Sequence, residues 1–149
     1  MTFDLLLYLV FIVAPAGTAV HEIGHVMAAG ILGADRMTLS IGTGLTVYRS
    51  SWHKTAVSIQ LLFFLGGMAS SERKVPYRKR EQIMIAAFGP LTSLSAAFLC
   101  AGLYAIFPTN YLLLLVLFNV WLALVNMIPF RFGGKQSDGY TIYKTMRRK

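Results

Sequence analysis

Near the start of the chain stands His21-Glu22-Ile23-Gly24-His25, two imidazoles four residues apart with a carboxylate beside the first. On a helix, positions i and i+4 share a face, so both rings can grip one Zn²⁺ while Glu22 is placed to take a proton from a water on that metal. This is equipment for hydrolysing an amide, because zinc lowers the pKa of its water from about 15.7 towards 7 and polarises the carbonyl under attack. Two histidines leave such a centre one protein ligand short, since catalytic zinc generally keeps three plus an open water position. His53 stands alone between Trp52 and Lys54 and reads as a surface residue, and Cys100 is the single cysteine, isolated in an apolar stretch. Among the carboxylates, Asp138 follows the last apolar stretch and is the expected third ligand. Ser137-Asp138-Gly139 also reads as a plain turn into a short helix, with Asp138 as its cap.

The elements that must carry these groups are set by an apolar composition. Of 149 residues, 56% are hydrophobic and 13% charged, about half the usual charged share, so the bilayer is the expected solvent for much of the surface. Over residues 5–34 the only Asp, Glu, Lys, Arg or His are His21, Glu22 and His25, and the run exceeds the roughly 20 residues that cross a hydrocarbon core. It lacks a basic leader, which argues for a retained span over a cleaved signal. Residues 83–130 carry no charge, and Pro108, Thr109 and Asn110 interrupt them near the middle. The expectation is a mainly α integral membrane protein of one domain, with spans near residues 5–33, 83–107 and 111–130.

The formal charge of +8 raises nucleic acid as a partner, but the 14 Lys and Arg respect membrane topology. Eight lie within residues 36–80 and six within 131–149, and three spans put both groups on one side. The positive-inside rule makes that side the cytoplasm, with the N-terminus outside, the tail 131–149 inside, and no nucleic-acid partner. The uncharged stretch 55–71 imitates a fourth span, but Thr55, Val57, Ile59 and Leu61 alternate with more polar or smaller residues. Leu39, Ile41, Leu45 and Val47 do the same. Two strands with bends at Gly42-Thr43-Gly44 and Gly66-Gly67 predict a small membrane-associated β-sheet near residues 37–67, between the first and second spans.

With these residues in order, the chain resembles the site-2 protease family of intramembrane zinc metalloproteases, over nearly its whole length. HExxH stands at His21 to His25, Gly-Pro at Gly89-Pro90, and Asn-x-x-Pro followed by Asp-Gly at Asn126, Pro129, Asp138 and Gly139. The resemblance implies a core of three transmembrane helices, zinc held by His21, His25 and Asp138, and Glu22 as general base. It implies that Asn126 binds the substrate backbone or the developing oxyanion; an interhelical hydrogen bond is the competing role for such an amide. It also implies an extended substrate paired with the sheet, for which residues 55–65 offer an edge. Two features depart from the family pattern. Eight residues separate Pro129 from Asp138 where about four are usual, and Ser93 replaces an Asn that follows Gly-Pro.

The functional expectation is therefore an intramembrane zinc endopeptidase, with one Zn²⁺ per chain, acting on transmembrane or membrane-associated peptides near the cytoplasmic leaflet. Two other readings stay open: a non-catalytic zinc-binding adaptor or chaperone for partner helices, and a proton carrier using His21, Glu22 and His25 as a relay. A regulatory membrane partner fits the small size of the chain. The compact sequence without an organelle signal points to a bacterial plasma membrane.

Overall fold

The computed structural model describes residues 2–132 and 134–148. Its first helix runs without a break over Phe3–Ile31. It comprises α1 (Phe3–Tyr8), a π-helical turn (Leu9–Val13) and α2 (Ala14–Ile31). Pro15 explains the π turn: it has no N–H to donate and its ring crowds the carbonyl four residues back, at Phe11, so the ladder widens there. Two further helices, α3 (Lys79–Ile106) and α4 (Asn110–Met127), complete three helices long and apolar enough to cross a membrane. Their outward side chains are apolar and bare, Phe98 of α3 being 80% exposed, as lipid-facing residues would be. The protein is thus mainly helical, with three membrane-spanning helices and a small sheet between the first and second.

The helices approach closely through small residues. A Cβ on Gly24 of α2 would meet Thr92 Oγ1 and the Phe88 carbonyl of α3, and one on Gly17 would lie 2.7 Å from the Phe118 ring of α4. Thr92 Oγ1 also lies 3.2 Å from the Val20 carbonyl of α2, a hydrogen bond across the same contact. Where lipid removes the hydrophobic drive for helix pairing, such contacts are what hold a bundle together.

Strands β1 (Arg36–Trp52) and β2 (Thr55–Glu72) are long enough to bend back on themselves. Gly42, at φ +89°, and Gly66, at φ +71°, take left-handed backbone at the bends. Residues 48–52 and 55–59 form a hairpin, Trp52 opposite Thr55 and Tyr48 opposite Ile59. Residues 55–59 also lie beside 36–41, with Met37 opposite Thr55 and Ile41 opposite Ile59, and residues 36–41 pair on their other side with 67–72. The sheet is therefore four segments wide, in the order 48–52, 55–59, 36–41, 67–72. This corrects the expected free edge: residues 55–59 are paired on both sides, and the edge that faces the helices is 67–72.

Arg73, directly after that edge, pins it. Its guanidinium forks onto Glu81 at 2.7 and 3.1 Å and donates to the Leu32 carbonyl at the end of α2 at 2.8 Å. One residue thereby ties the sheet to the helix bearing the histidines and to the start of α3. Past α4, a two-residue ladder, β3 (Arg131–Phe132) with β4 (Lys135–Gln136), leads into α5 (Asp138–Arg147).

Candidate metal centre

His21 and His25 project from one face of α2, their ring centroids 5.0 Å apart. Asp138 meets them from the start of α5. Its Oδ2 lies 3.0 Å from His21 Nε2 and its Oδ1 3.3 Å from His25 Nε2. One ligand atom from each of the three lies within 4.8 Å of the others, a cluster able to hold a metal ion.

The chemistry of the donor set fits a cation between them. His25 Nδ1 donates to the Ile85 carbonyl at 2.7 Å. A neutral imidazole with hydrogen on Nδ1 presents a lone pair at Nε2, and here that lone pair faces a carboxylate. Two acceptors at 3.3 Å repel unless the ring takes a second proton or a cation stands between them. His21 Nδ1 is held likewise, 2.9 Å from Ser93 Oγ of α3, so both rings are oriented from behind in the manner of metal ligands. Burial pushes the Asp138 carboxyl up, but the hydrogen bonds of His21 and His25 and their charges outweigh it, holding the group below its ordinary value and ionised.

Gly89 makes room for the cluster. A Cβ there would collide with His25 Nε2 and lie 2.8 Å from His21 Nε2, so any larger residue would fill the space between the two rings. Pro90 beside it lacks the N–H that a helix interior requires and crowds the Ala86 carbonyl four residues back, next to the Ile85 carbonyl that orients His25.

The long interval before Asp138 is absorbed by a loop whose ends are joined. Ser137 N–H donates to the Phe130 carbonyl at 3.1 Å, and Phe130 N–H donates to Ser137 Oγ at 3.0 Å. Arg131 and Phe132 pair with Lys135 and Gln136 as the β3–β4 ladder, and Gly134, Lys135 and Gln136 line the cavity that the histidines also face. The cap of α5 is Ser137, whose Oγ accepts from Tyr140 N–H at 3.1 Å. The expected short helix is present, but Asp138 is left free of capping and turns towards the imidazoles. Gly139 permits the docking: a Cβ there would strike the Met127 carbonyl at the end of α4.

A cavity of about 760 Å³ opens over the cluster, and Glu22, His25 and Asp138 share its wall with the edge residues Gly67 to Ser71 and with Asn126. Gly67 lets the edge lie against α2, since a Cβ would come within 3.0 Å of Glu22 Cγ. Asn126 donates one amide hydrogen to the Leu122 carbonyl of its own helix at 2.9 Å, leaving a second hydrogen and its oxygen for other partners. That bond is intrahelical, so it is not the interhelical tie weighed above. His53, at φ +53°, sits in the turn between β1 and β2 and is absent from the cavity wall, and Cys100 is a free cysteine of α3 likewise outside it. The Ser93 and Ile85 partners were not anticipated: Ser93 stood out only as a departure from a pattern, and a backbone carbonyl carries no residue-type signal.

The profile of peptidase family M50 matches residues 6–109, which hold His21, Glu22, His25, the sheet and Gly89-Pro90. No curated protein matches.

Proposed function

The chain belongs to peptidase family M50, and from that premise we propose that it is an intramembrane zinc endopeptidase in which His21, His25 and Asp138 hold the ion and Glu22 moves the protons. The observation that carries this reading is the convergence of two imidazoles and one carboxylate in a cavity that Glu22 also faces. When bound, Zn²⁺ supplies Lewis-acid activation of water and of the scissile carbonyl. Glu22 accepts a proton from the attacking water and returns it to the leaving nitrogen, the usual double duty of a single acid–base group. A peptide in extended form adds to the sheet at residues 67–71, where unpaired backbone groups lie alongside Glu22. Asn126 contributes its spare amide hydrogen or oxygen to the substrate backbone.

Substrates in this reading are transmembrane or membrane-associated peptides, and a helical one must unwind locally, because its amides are shielded by their own hydrogen bonds until it pairs with the sheet. Water reaches the centre through the cavity, six to ten residues before the end of α2 at Ile31, or roughly 9–15 Å of helix. In this reading the positive-inside rule, applied to the basic groups in residues 36–80 and 131–149, favours that end at the cytoplasmic leaflet with the tail inside, in a single-domain protein of a bacterial plasma membrane.

The test is reconstitution of purified protein with single-span substrates, comparing wild type with Glu22→Gln. Zinc content should be equal in the two and cleavage should be absent from the variant. Cleavage retained by Glu22→Gln removes Glu22 from the mechanism, and absence of zinc-dependent cleavage by wild type across such substrates favours the adaptor reading.

A further inference from the structure

The far end of α5 carries positive charge that the chain does not offset. Lys144, Arg147 and Arg148 are exposed there, and among the described residues no carboxylate pairs with them. The one acid of the helix, Asp138, lies at its other end against the imidazoles. At the start of α3, Arg78, Lys79 and Arg80 are exposed and equally without a carboxylate on their side chains. The two sets adjoin, because Lys79 Nζ donates to the Arg148 carbonyl.

That contact fixes the depth of the surface. After Glu81, α3 has no charged residue and runs as a membrane span, so its first turn stands at the level of the lipid headgroups, and the end of α5 stands level with it. Beside the cations α5 also bares apolar surface. Tyr143 and Met146 are exposed, the latter to 69%, and the Arg147 guanidinium lies 4.7 Å from the Tyr143 ring. Positions 143, 146 and 147 share one helix face, whereas Gly139 and Thr145 are buried. Cations flanked by bare apolar side chains at a membrane edge are the pattern of a helix lying in the interface. An acidic peptide would match the charge, but the depth and the exposed Tyr143 and Met146 match a lipid.

We propose that the end of α5 and the start of α3 form one seat for anionic lipid headgroups, and that filling it steadies the helix that begins at Asp138. The need for such a support is physical. α5 has ten residues, below the length at which a helix is stable alone, and Lys144 and Arg147 repel at a spacing of three. Its first turn is docked through Gly139, while its last turn is exposed. Headgroup phosphates remove the repulsion and hold that turn. The seat is independent of any metal; only its effect on zinc rests on the reading of Asp138 as a ligand.

The test compares the purified protein in nanodiscs of phosphatidylcholine alone and of phosphatidylcholine with phosphatidylglycerol. Hydrogen exchange at the amides of residues 142–147 should be slower in the anionic membrane by about fivefold or more, the effect of one basic residue meeting such a surface. Lys144→Gln, Arg147→Gln and Arg148→Gln together should erase the difference, with exchange in α2 to α4 unchanged. Equal exchange of wild type in the two membranes, or a lipid effect that survives in the triple variant, overturns the seat. So does equal protection in the neutral membrane by inorganic phosphate or by polyglutamate, the second of which would assign the surface to an acidic protein. Chelator competition should show zinc held about fivefold more tightly by wild type in the anionic membrane. Slower exchange with unchanged zinc affinity overturns the link to Asp138 and leaves the seat standing, whereas no zinc uptake in either membrane overturns the metal assignment and that link while the exchange still decides the seat.

Discussion

The two halves of the His21, His25 and Asp138 cluster are held by different means. His21 and His25 are set by helix against helix: one turn of α2, backed by Ser93 and the Ile85 carbonyl of α3, with Gly89 letting the two helices meet. Asp138 is set by local chain chemistry: a joined loop, a serine cap, and Gly139 resting on the end of α4. The family profile covers the first half, residues 6–109, and ends before the second. The contrast shows where a loop can vary in length without losing the site. Surplus residues can be looped out between Phe130 and Ser137, whereas nothing can be inserted between His21 and His25 without rotating one ring off the shared face.

Substitutions on each side should expose that difference. The largest effect is expected from Gly89→Ala. Alanine is the better helix former by about 1 kcal/mol, so the helix should hold, yet the added methyl occupies the space between the imidazoles. Thermal unfolding should show the fold kept, with stability somewhat lowered by the clash, while zinc binding is lost; near-normal zinc affinity would mean that the rings can move aside and that helix packing does not fix them. Gly139→Ala should be milder. Its methyl strikes the Met127 carbonyl and shifts the start of α5, so zinc affinity should fall by about 10-fold or more, in the range for disturbed support of a ligand. Zinc competition that finds no change would show that Asp138 reaches the cluster independently of this docking. Ser137→Ala should also fall short of Gly89→Ala: it removes the α5 cap and the bonds of Ser137 Oγ to Phe130 N–H and the Ile128 carbonyl, each worth about 1 kcal/mol, or about fivefold apiece if all of it falls on the ligand-competent state. A loss in Ser137→Ala exceeding that in Gly89→Ala would reverse the comparison.

Much of this arrangement could be read along the chain, because the informative patterns are local. HExxH declares its geometry through helical spacing alone, and the alternation in residues 38–48 and 55–61 separated strands from a fourth span. Asp138 was reachable by elimination among six carboxylates, but its placement was not, because the joining of Phe130 to Ser137 depends on contacts across the loop. The edge of the sheet was misplaced for a related reason. Gly66 was recognisable as a bend, but that residues 67–72 return to pair with 36–41 is a matter of register. The partners of the histidines were hidden most completely, since one is a backbone carbonyl and the other a serine in an apolar helix.

The central claim is that one ion is gripped by His21, His25 and Asp138, and X-ray absorption at the zinc edge tests it most directly. Purified wild type should contain one zinc per chain with two imidazole nitrogens at about 2.0–2.1 Å and oxygen at about 2.0–2.2 Å. Asp138→Ala should hold far less zinc, with both imidazoles still bound in whatever remains. Zinc bound without imidazole scattering, or wild type that takes up no zinc at all, would contradict the account.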